Sequence, residues 1–400
     1  MYRKFKADNI FNGYELLPAG TVLLTDEQGA VIDLVNEKEA GDDVQQFNGI
    51  LSPGFINAHC HLELSHMKGY IPEKTGLIEF VLKVIFDRHF KEEEILSAIE
   101  RAEDEMLQNG IVAVGDICNN LLTIPQKKKG KLFYHNFIEA SGFPPPVAES
   151  RFQRSHDFYK EYAALFPANS IVPHAPYSVS KEMFEMINSF PNNHVITIHN
   201  QETAAENELF EKGRGDFLEL YKKMNIDISF FKPSGKSSLQ TYLPYLNSCQ
   251  SLILVHNVCA GTDDINFVKH HRPAANDQQP TFFCLCPNAN QYITGLLPDV
   301  SLFIQPPSGL TVAAGVVLGT DSLASNHQLN ILEEIKTLQK NFPAISLTIM
   351  LQWATINGAK ALQMDNMLGS FEKGKKPGIV LIKNTDGIQL SPGSISERLL

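Results

Sequence analysis

Pro53-Gly54-Phe55-Ile56-Asn57-Ala58-His59-Cys60-His61-Leu62-Glu63 is the stretch on which the reading of this chain turns. An extended segment puts alternate side chains on one face, so His59, His61 and Glu63 project together at the carboxyl end of a short apolar strand. Two imidazoles so placed can share one metal ion. The pair alone is a weak signal, because histidines also fall on surfaces by chance. Its weight depends on what else in the chain arrives at the same place.

From Leu51 onward, short apolar runs alternate with helical patterns, the mark of βα units and a parallel sheet. Eight strands are predicted, at 51–57, 111–117, 131–138, 170–173, 194–198, 252–255, 281–285 and 315–319. Eight such strands close a (β/α)8 barrel, whose active sites form at the carboxyl rim. Amphipathic helices are predicted at 77–90, 91–108, 181–189 and 202–212. His174, His199, His256 and Asp321 each fall within a residue or two of a predicted strand end. With His59 and His61, five of the thirteen histidines gather at that rim.

The flanks differ. Residues 1–50 read as short strands at 7–10, 20–25 and 30–35, with Asp26-Glu27-Gln28-Gly29 as a hairpin turn. After helices at 329–341 and 345–362, β character returns in a Gly-punctuated stretch ending Pro377-Gly378-Ile379-Val380-Leu381-Ile382. The expected architecture is an α/β fold: a barrel over 53–365 and a small β-sandwich domain from both chain ends, 1–52 and 366–400.

Forty-five acidic against 34 basic residues give a net charge of −11, which argues against a nucleic-acid partner. Lys127-Lys128-Lys129 reads as a short surface turn, and 272–280 as a polar loop. The first residues lack a signal-peptide pattern, and no run of about 18 apolar residues would span a membrane. The six cysteines show no CxxC spacing, so a reducing cytoplasm with thiols packed as small apolar groups is expected.

Seven segments carry a resemblance. They are Gly54-Phe55-Ile56-Asn57-Ala58-His59-Cys60-His61, Pro173-His174-Ala175-Pro176-Tyr177-Ser178, His199-Asn200-Gln201-Glu202, Val255-His256-Asn257, Cys286-Pro287-Asn288-Ala289-Asn290, Gly319-Thr320-Asp321 and Thr355-Ile356-Asn357-Gly358-Ala359-Lys360-Ala361-Leu362. In order and spacing the chain resembles the amidohydrolase superfamily, in its mononuclear deaminase and chlorohydrolase branch. The resemblance implies that His59, His61, His199 and Asp321 ligate one divalent ion, Zn²⁺ by donor type, with Fe²⁺ or Mn²⁺ open. It also implies that Glu202 shuttles protons, that Asp321 doubles as proton acceptor, that His256 bonds the attacking water or the developing oxygen, and that His174 faces substrate. Glu206 and Glu208 read as ordinary helix acids. No lysine precedes His174 on its strand, which disfavours a carbamylated, binuclear centre.

Substrate residues are read more coarsely. His61-Leu62-Glu63-Leu64-Ser65 resembles the aminofutalosine deaminases of menaquinone biosynthesis, with Glu63 near an amine or ribose hydroxyl of an adenine-type nucleoside. Arg151 and Arg154 could pair with a substrate carboxylate, and Phe80 and Phe152 could stack on a purine. Cys284 and Cys286 read as packing residues. Gly374-Lys375-Lys376-Pro377-Gly378 lacks the acid many members carry there, a departure expected to have structural consequences only. Deaminases of S-adenosylhomocysteine, methylthioadenosine or guanine, chlorohydrolases, and a non-catalytic scaffold stay open as alternatives. The partner expected is a small molecule; a homodimer is compatible with the sequence.

Overall fold

Gly54 is where the chain passes from one sheet to another. The computed structural model describes residues 2–247, 250–272, 279–304 and 314–400; Cys249 and 273–278 of the expected polar loop lie outside the described residues. The single strand expected at 51–57 is two strands, β4 (Gln45–Pro53) and β5 (Phe55–Cys60). The Gly54 amide donates to the Pro377 carbonyl at 3.0 Å. A Cβ on Gly54 would lie 2.3 Å from Val112 Cγ1 and 2.6 Å from the Pro377 oxygen, so only glycine fits the crossing.

Strands β1 (Arg3–Ile10), β2 (Thr21–Thr25) and β3 (Val31–Asn36) join β4 and the last two strands, β13 (Ile379–Asp386) and β14 (Gln389–Arg398), in one sheet of order β14-β13-β4-β1-β2-β3. It packs around Phe5, Leu23, Leu51, Phe371 and Leu381. Both chain ends contribute to this small β unit as expected, and among the described residues their strands form a single six-stranded sheet. β13 seats on β4 in antiparallel register, and this joins the two termini.

The remaining strands are β5, β6 (Ile111–Cys118), β7 (Phe133–Ala140), β8 (Asn169–Pro173), β9 (Val195–Asn200), β10 (Ser251–His256), β11 (Thr281–Leu285) and β12 (Ala314–Leu318). They form two four-stranded sheets, β5-β6-β7-β8 and β12-β11-β10-β9, in which every pair is parallel. Their runs are mostly apolar because both faces are covered, with a few buried polar residues such as Asp116, Asn136 and Glu139 among them. Among the described residues, one continuous eight-stranded ladder is not formed. At the seams, backbone-to-backbone hydrogen bonds join residues at or past the carboxyl ends: His199 N–H donates to the His174 carbonyl at 3.0 Å, and the amides of Thr320 and Asp321 both donate to the His59 carbonyl at 3.1 Å. Side chains add to them, with Asn193 Oδ1 accepting from Ile171 N–H at 2.9 Å, Asn193 Nδ2 donating to the Ile171 carbonyl at 2.8 Å and Asn57 Nδ2 donating to Thr320 Oγ1 at 2.7 Å. The seams are thus fastened in part by residues the sequence singles out and in part by others, such as Asn193.

Two helix boundaries matter. The helix expected from 202 begins at Ala204, with Thr203 in extended geometry before it, so Glu202 sits in the loop rather than in a first turn. The helix expected over 345–362 contains a π segment, Trp353–Asn357. Lys127 corrects the reading of a surface lysine run. It is 2% exposed and its ammonium lies 2.5 Å from Asp116 Oδ2. Among the described residues, no helix is long and apolar enough to cross a membrane.

Gly54→Ala is expected to cost about 1–3 kcal/mol, because the methyl meets a backbone oxygen that cannot move without breaking the β4–β13 pairing. Urea unfolding measures this as a lower midpoint at unchanged slope. An unchanged midpoint would show that the crossing has room to spare.

Candidate active site

Alternation along β5 points His59 and His61 the same way and sends Cys60, fully buried, into the core. His199 arrives from the end of β9, and Asp321 from beyond β12. His61 Nε2 lies 3.3 Å from His199 Nε2 and 3.4 Å from Asp321 Oδ1, while His59 Nε2 is 3.6 Å from the same oxygen. One donor atom from each of the four residues falls within 4.8 Å of the others. Donors placed about 2 Å from one tetrahedral ion would be roughly 3.3 Å apart, so the spacing fits a shared cation.

The donor chemistry fits as well. Both ring nitrogens of His59 are buried without a hydrogen-bond partner. His199 Nδ1 bonds the His174 carbonyl at 2.7 Å, which fixes the tautomer that leaves Nε2 as the free lone pair. Ser325 Oγ donates to Asp321 Oδ2 at 2.6 Å, leaving Oδ1 toward the imidazoles. Burial pushes His61 down to about 3 and His199 well below its ordinary value, so both are neutral at pH 7. Burial would raise Asp321, but His59, His61 and His256 outweigh it and hold the carboxylate ionised. Asp321 and His256 both have left-handed backbones, φ 57° and 73°, a conformation non-glycine residues adopt at a cost.

Glu202 faces this cluster from the loop after β9. Its Oε1 lies 3.8 Å from His256 Nε2. Burial first, and the charge of Asp321 second, push its carboxyl well above the usual range, which favours the protonated form. His256 Nδ1 bonds Asn290 Oδ1 at 2.8 Å, so Nε2 faces the site as an acceptor. Glu206 is not the solvated helix acid expected: it is buried, and its Oε1 accepts from Gln201 N–H at 2.9 Å and Ser238 Oγ at 2.5 Å. Glu208 does pair at the surface, with Arg214 at 2.8 Å.

The cluster opens into a cavity of about 1090 Å³ whose wall includes His61, Glu63, Arg151, His174, His199, Glu202, His256 and Asp321. Arg154 and Phe80 also line it, whereas Phe152 does not; it packs on Phe190 at 6.1 Å between ring centres. His174 Nδ1 bonds Ser178 Oγ at 2.8 Å. Cys284 and Cys286 are buried packing residues.

Sequence reading missed Glu139, Asn119 and Arg88, which share this wall. Asn119 ties two carboxyls together: its N–H donates to Glu63 Oε2 at 3.0 Å and its Nδ2 to Glu139 Oε2 at 2.7 Å. Glu63 Oε1 and Glu139 Oε1 are left buried without hydrogen bonds. Burial pushes both carboxyls up to about 7. Glu139 lies one residue beyond the predicted strand 131–138, so extending that strand by one position would have placed a carboxylate at the rim.

Comparison with known proteins follows the geometry. The chain is 28% identical over 335 residues to an adenosine deaminase of Helicobacter pylori, covering 82% of this chain and 78% of that protein. It is 24% identical over 327 residues to an aminodeoxyfutalosine deaminase of Nitratiruptor sp., covering 78% and 73% respectively. Among solved structures, Helicobacter pylori aminofutalosine deaminase in complex with methylthio-coformycin superposes with a TM-score of 0.79 at 23% identity, covering 97% of this chain and 93% of that one. A zinc-bound adenosine deaminase from Xanthomonas campestris gives 0.71 at 18% identity, covering 96% and 85%. Residues 50–393 match the amidohydrolase family, and the chain belongs to it.

Proposed function

We propose that this chain is a metal-dependent aminohydrolase that removes the exocyclic amine of an adenine-type nucleoside derivative, with an aminofutalosine-like compound of menaquinone biosynthesis as its favoured substrate. Family membership and deaminase relatives place it among hydrolases that cleave carbon–nitrogen bonds of cyclic amidines. The observation that carries the finer reading is the opening of the three-histidine, one-aspartate cluster and the raised Glu202 carboxyl onto one cavity. We read the two half-sheets as a (β/α)8 barrel over 53–365 and Zn²⁺ as the ion.

A bound divalent ion supplies Lewis acidity, bringing the pKa of a water from about 16 to about 7. The protein's own groups divide the remaining work. Glu202, its carboxyl pushed well above the usual range by burial, donates to the ring nitrogen beside the amine-bearing carbon. It then takes the proton of the added hydroxyl and relays it to the departing ammonia, and the proton held by Asp321 restores the acid form of Glu202. Asp321 Oδ1 takes up the proton the attacking water gives up, and His256 Nε2 orients that water by accepting its hydrogen bond. The unpaired oxygens of Glu63 and Glu139 favour a ligand bearing hydroxyl or amine donors, and an analogue lacking them leaves buried acceptors unmatched. Arg151, with Arg88 across the cavity wall, suits a carboxylate on the substrate's far end.

Incubation of metal-replete protein with adenine-type nucleosides is expected to release ammonia and shift the purine absorbance; no turnover across a purine and pterin panel would overturn the reading. Glu202→Gln is expected to lower kcat by about 10²–10⁴-fold. Because the acid form of Glu202 is required and its pKa is raised, wild-type kcat should hold at low pH and fall as pH rises through that value. A rate that instead grows with pH across this range would remove Glu202 as the acid. Zn²⁺ at about 100 times its Kd should stabilise the metal-free protein by about 2.7 kcal/mol, measured as a rise in melting temperature that Asp321→Ala abolishes.

A further inference from the structure

Behind the site lies a buried ion pair that the reaction does not use. Asp116, on β6, is the register partner of Cys60, the residue between the two imidazoles of β5. Its Oδ2 meets Lys127 Nζ at 2.5 Å, with both side chains fully buried. Lys127 also donates to Asn136 Oδ1 at 2.8 Å and Cys118 Sγ at 3.3 Å, and sits over the rings of Tyr134 and Tyr162 at 4.8 and 5.2 Å. The other carboxylate oxygen, Asp116 Oδ1, accepts the N–H of Leu62 at 2.8 Å.

Leu62 is the second residue after β5, following His61, and opens the short 3₁₀ turn Leu62–Met67. The first amides of a helical turn have no partner inside it, and the parallel ladder no longer holds the chain there. The held amide is flanked by His61 on one side and Glu63 on the other. A buried ion pair is a poor means of adding stability, since apolar residues of similar volume usually do as well or better. What this pair supplies that apolar residues cannot is a fixed acceptor. Lys127 immobilises one oxygen of Asp116, and the other is thereby aimed at Leu62.

We infer that Asp116 and Lys127 form a positioning device that fixes the backbone at Leu62, and so sets His61 for metal retention and Glu63 for the cavity wall. Neither residue touches substrate or ion. The inference rests on His61 being a metal ligand, as read under the proposed function.

Two double variants separate the acceptor from the charges. Asp116→Leu with Lys127→Met removes both charges and the acceptor. Asp116→Asn with Lys127→Met removes both charges but keeps an oxygen facing Leu62. Zn²⁺ transfer from the loaded protein to a chelator is the readout, with melting of the metal-free forms as the control for a merely structural role. The leucine variant is expected to lose Zn²⁺ at least 10-fold faster than wild type, within the 10–100-fold typical of groups that orient ligands. The asparagine variant is expected to stay within about 3-fold of wild type on the same scale. Wild-type rates in a folded leucine variant would overturn the inference. Amide exchange in the wild-type protein tests it without any substitution: the Leu62 N–H should exchange among the slowest, and rapid exchange would overturn the assignment whether or not the leucine variant folds. Wild-type protein that binds no Zn²⁺ would instead overturn the metal reading, and this inference with it.

Discussion

An ionised aspartate held against three imidazoles, all shut away from water, is the constraint that organises the rest. Removing a carboxylate from water is expensive unless charge or hydrogen bonds compensate. Ser325 satisfies one oxygen of Asp321, while the other faces His59 and His61 at 3.6 and 3.4 Å. His61 and His199 cannot escape by protonating, because burial holds His61 near 3 and His199 well below its ordinary value. The four groups are brought together by strand ends rather than by any local motif. The two seams between the half-sheets run past His59 and His199, so some of the bonds that hold the halves together also fix the backbone at these imidazoles.

The carboxyls around the cavity show how one burial effect produces opposite protonation states. Glu63, Glu139 and Glu202 are all raised, with burial as the largest cause. Asp321 experiences the same burial and ends up lowered, because its neighbours are imidazoles instead of apolar walls and other acids. Pairs of acids driven apart in this way mark acid and base assignments in an active site. Glu202 has few groups to favour its anion and stays an acid; Asp321 has several and stays a base. The clamp on Gln201, whose N–H is held by Glu206 while its backbone takes φ 47°, fixes the loop that carries Glu202.

Much of this was legible in the sequence, for identifiable reasons. Parallel strands covered on both faces read as mostly apolar runs, so seven of the eight barrel-type strands fall within a few residues of their predicted places. Rim residues followed from strand ends. The same rule failed where the run itself misled: 51–57 reads as one strand, and the break at Gly54 is enforced by Val112 and Pro377, remote in sequence. Glu139 was lost because the strand was ended one residue early. Lys127 was misread because a lysine run ordinarily means solvent, whereas its partners Asp116, Asn136 and Tyr162 come from other elements. Phe152 was offered as a stacking residue on residue type alone, and helix packing against Phe190 claims it.

The small sheet is more than an appendage to this site. β4 ends at Pro53 and β5 begins two residues later, so the direction in which His59 and His61 project is set partly by how β4 is held. Ile50 of β4, Phe55 of β5, and Val380 and Ile382 of β13 share one buried cluster with Ile111 and Val316 of the half-sheets. A Cβ on Gly110 would lie 2.5 Å from Val380 Cγ2, so β13 and the start of β6 are already in contact. Packing this close transmits displacement instead of absorbing it. A shift of β13 therefore reaches β5 through two routes, the Gly54 crossing and the shared core. The strand that presents the first two imidazoles is thus fixed at its amino end by chain from both termini and at its carboxyl end by Asp116 and the Thr320 and Asp321 amides.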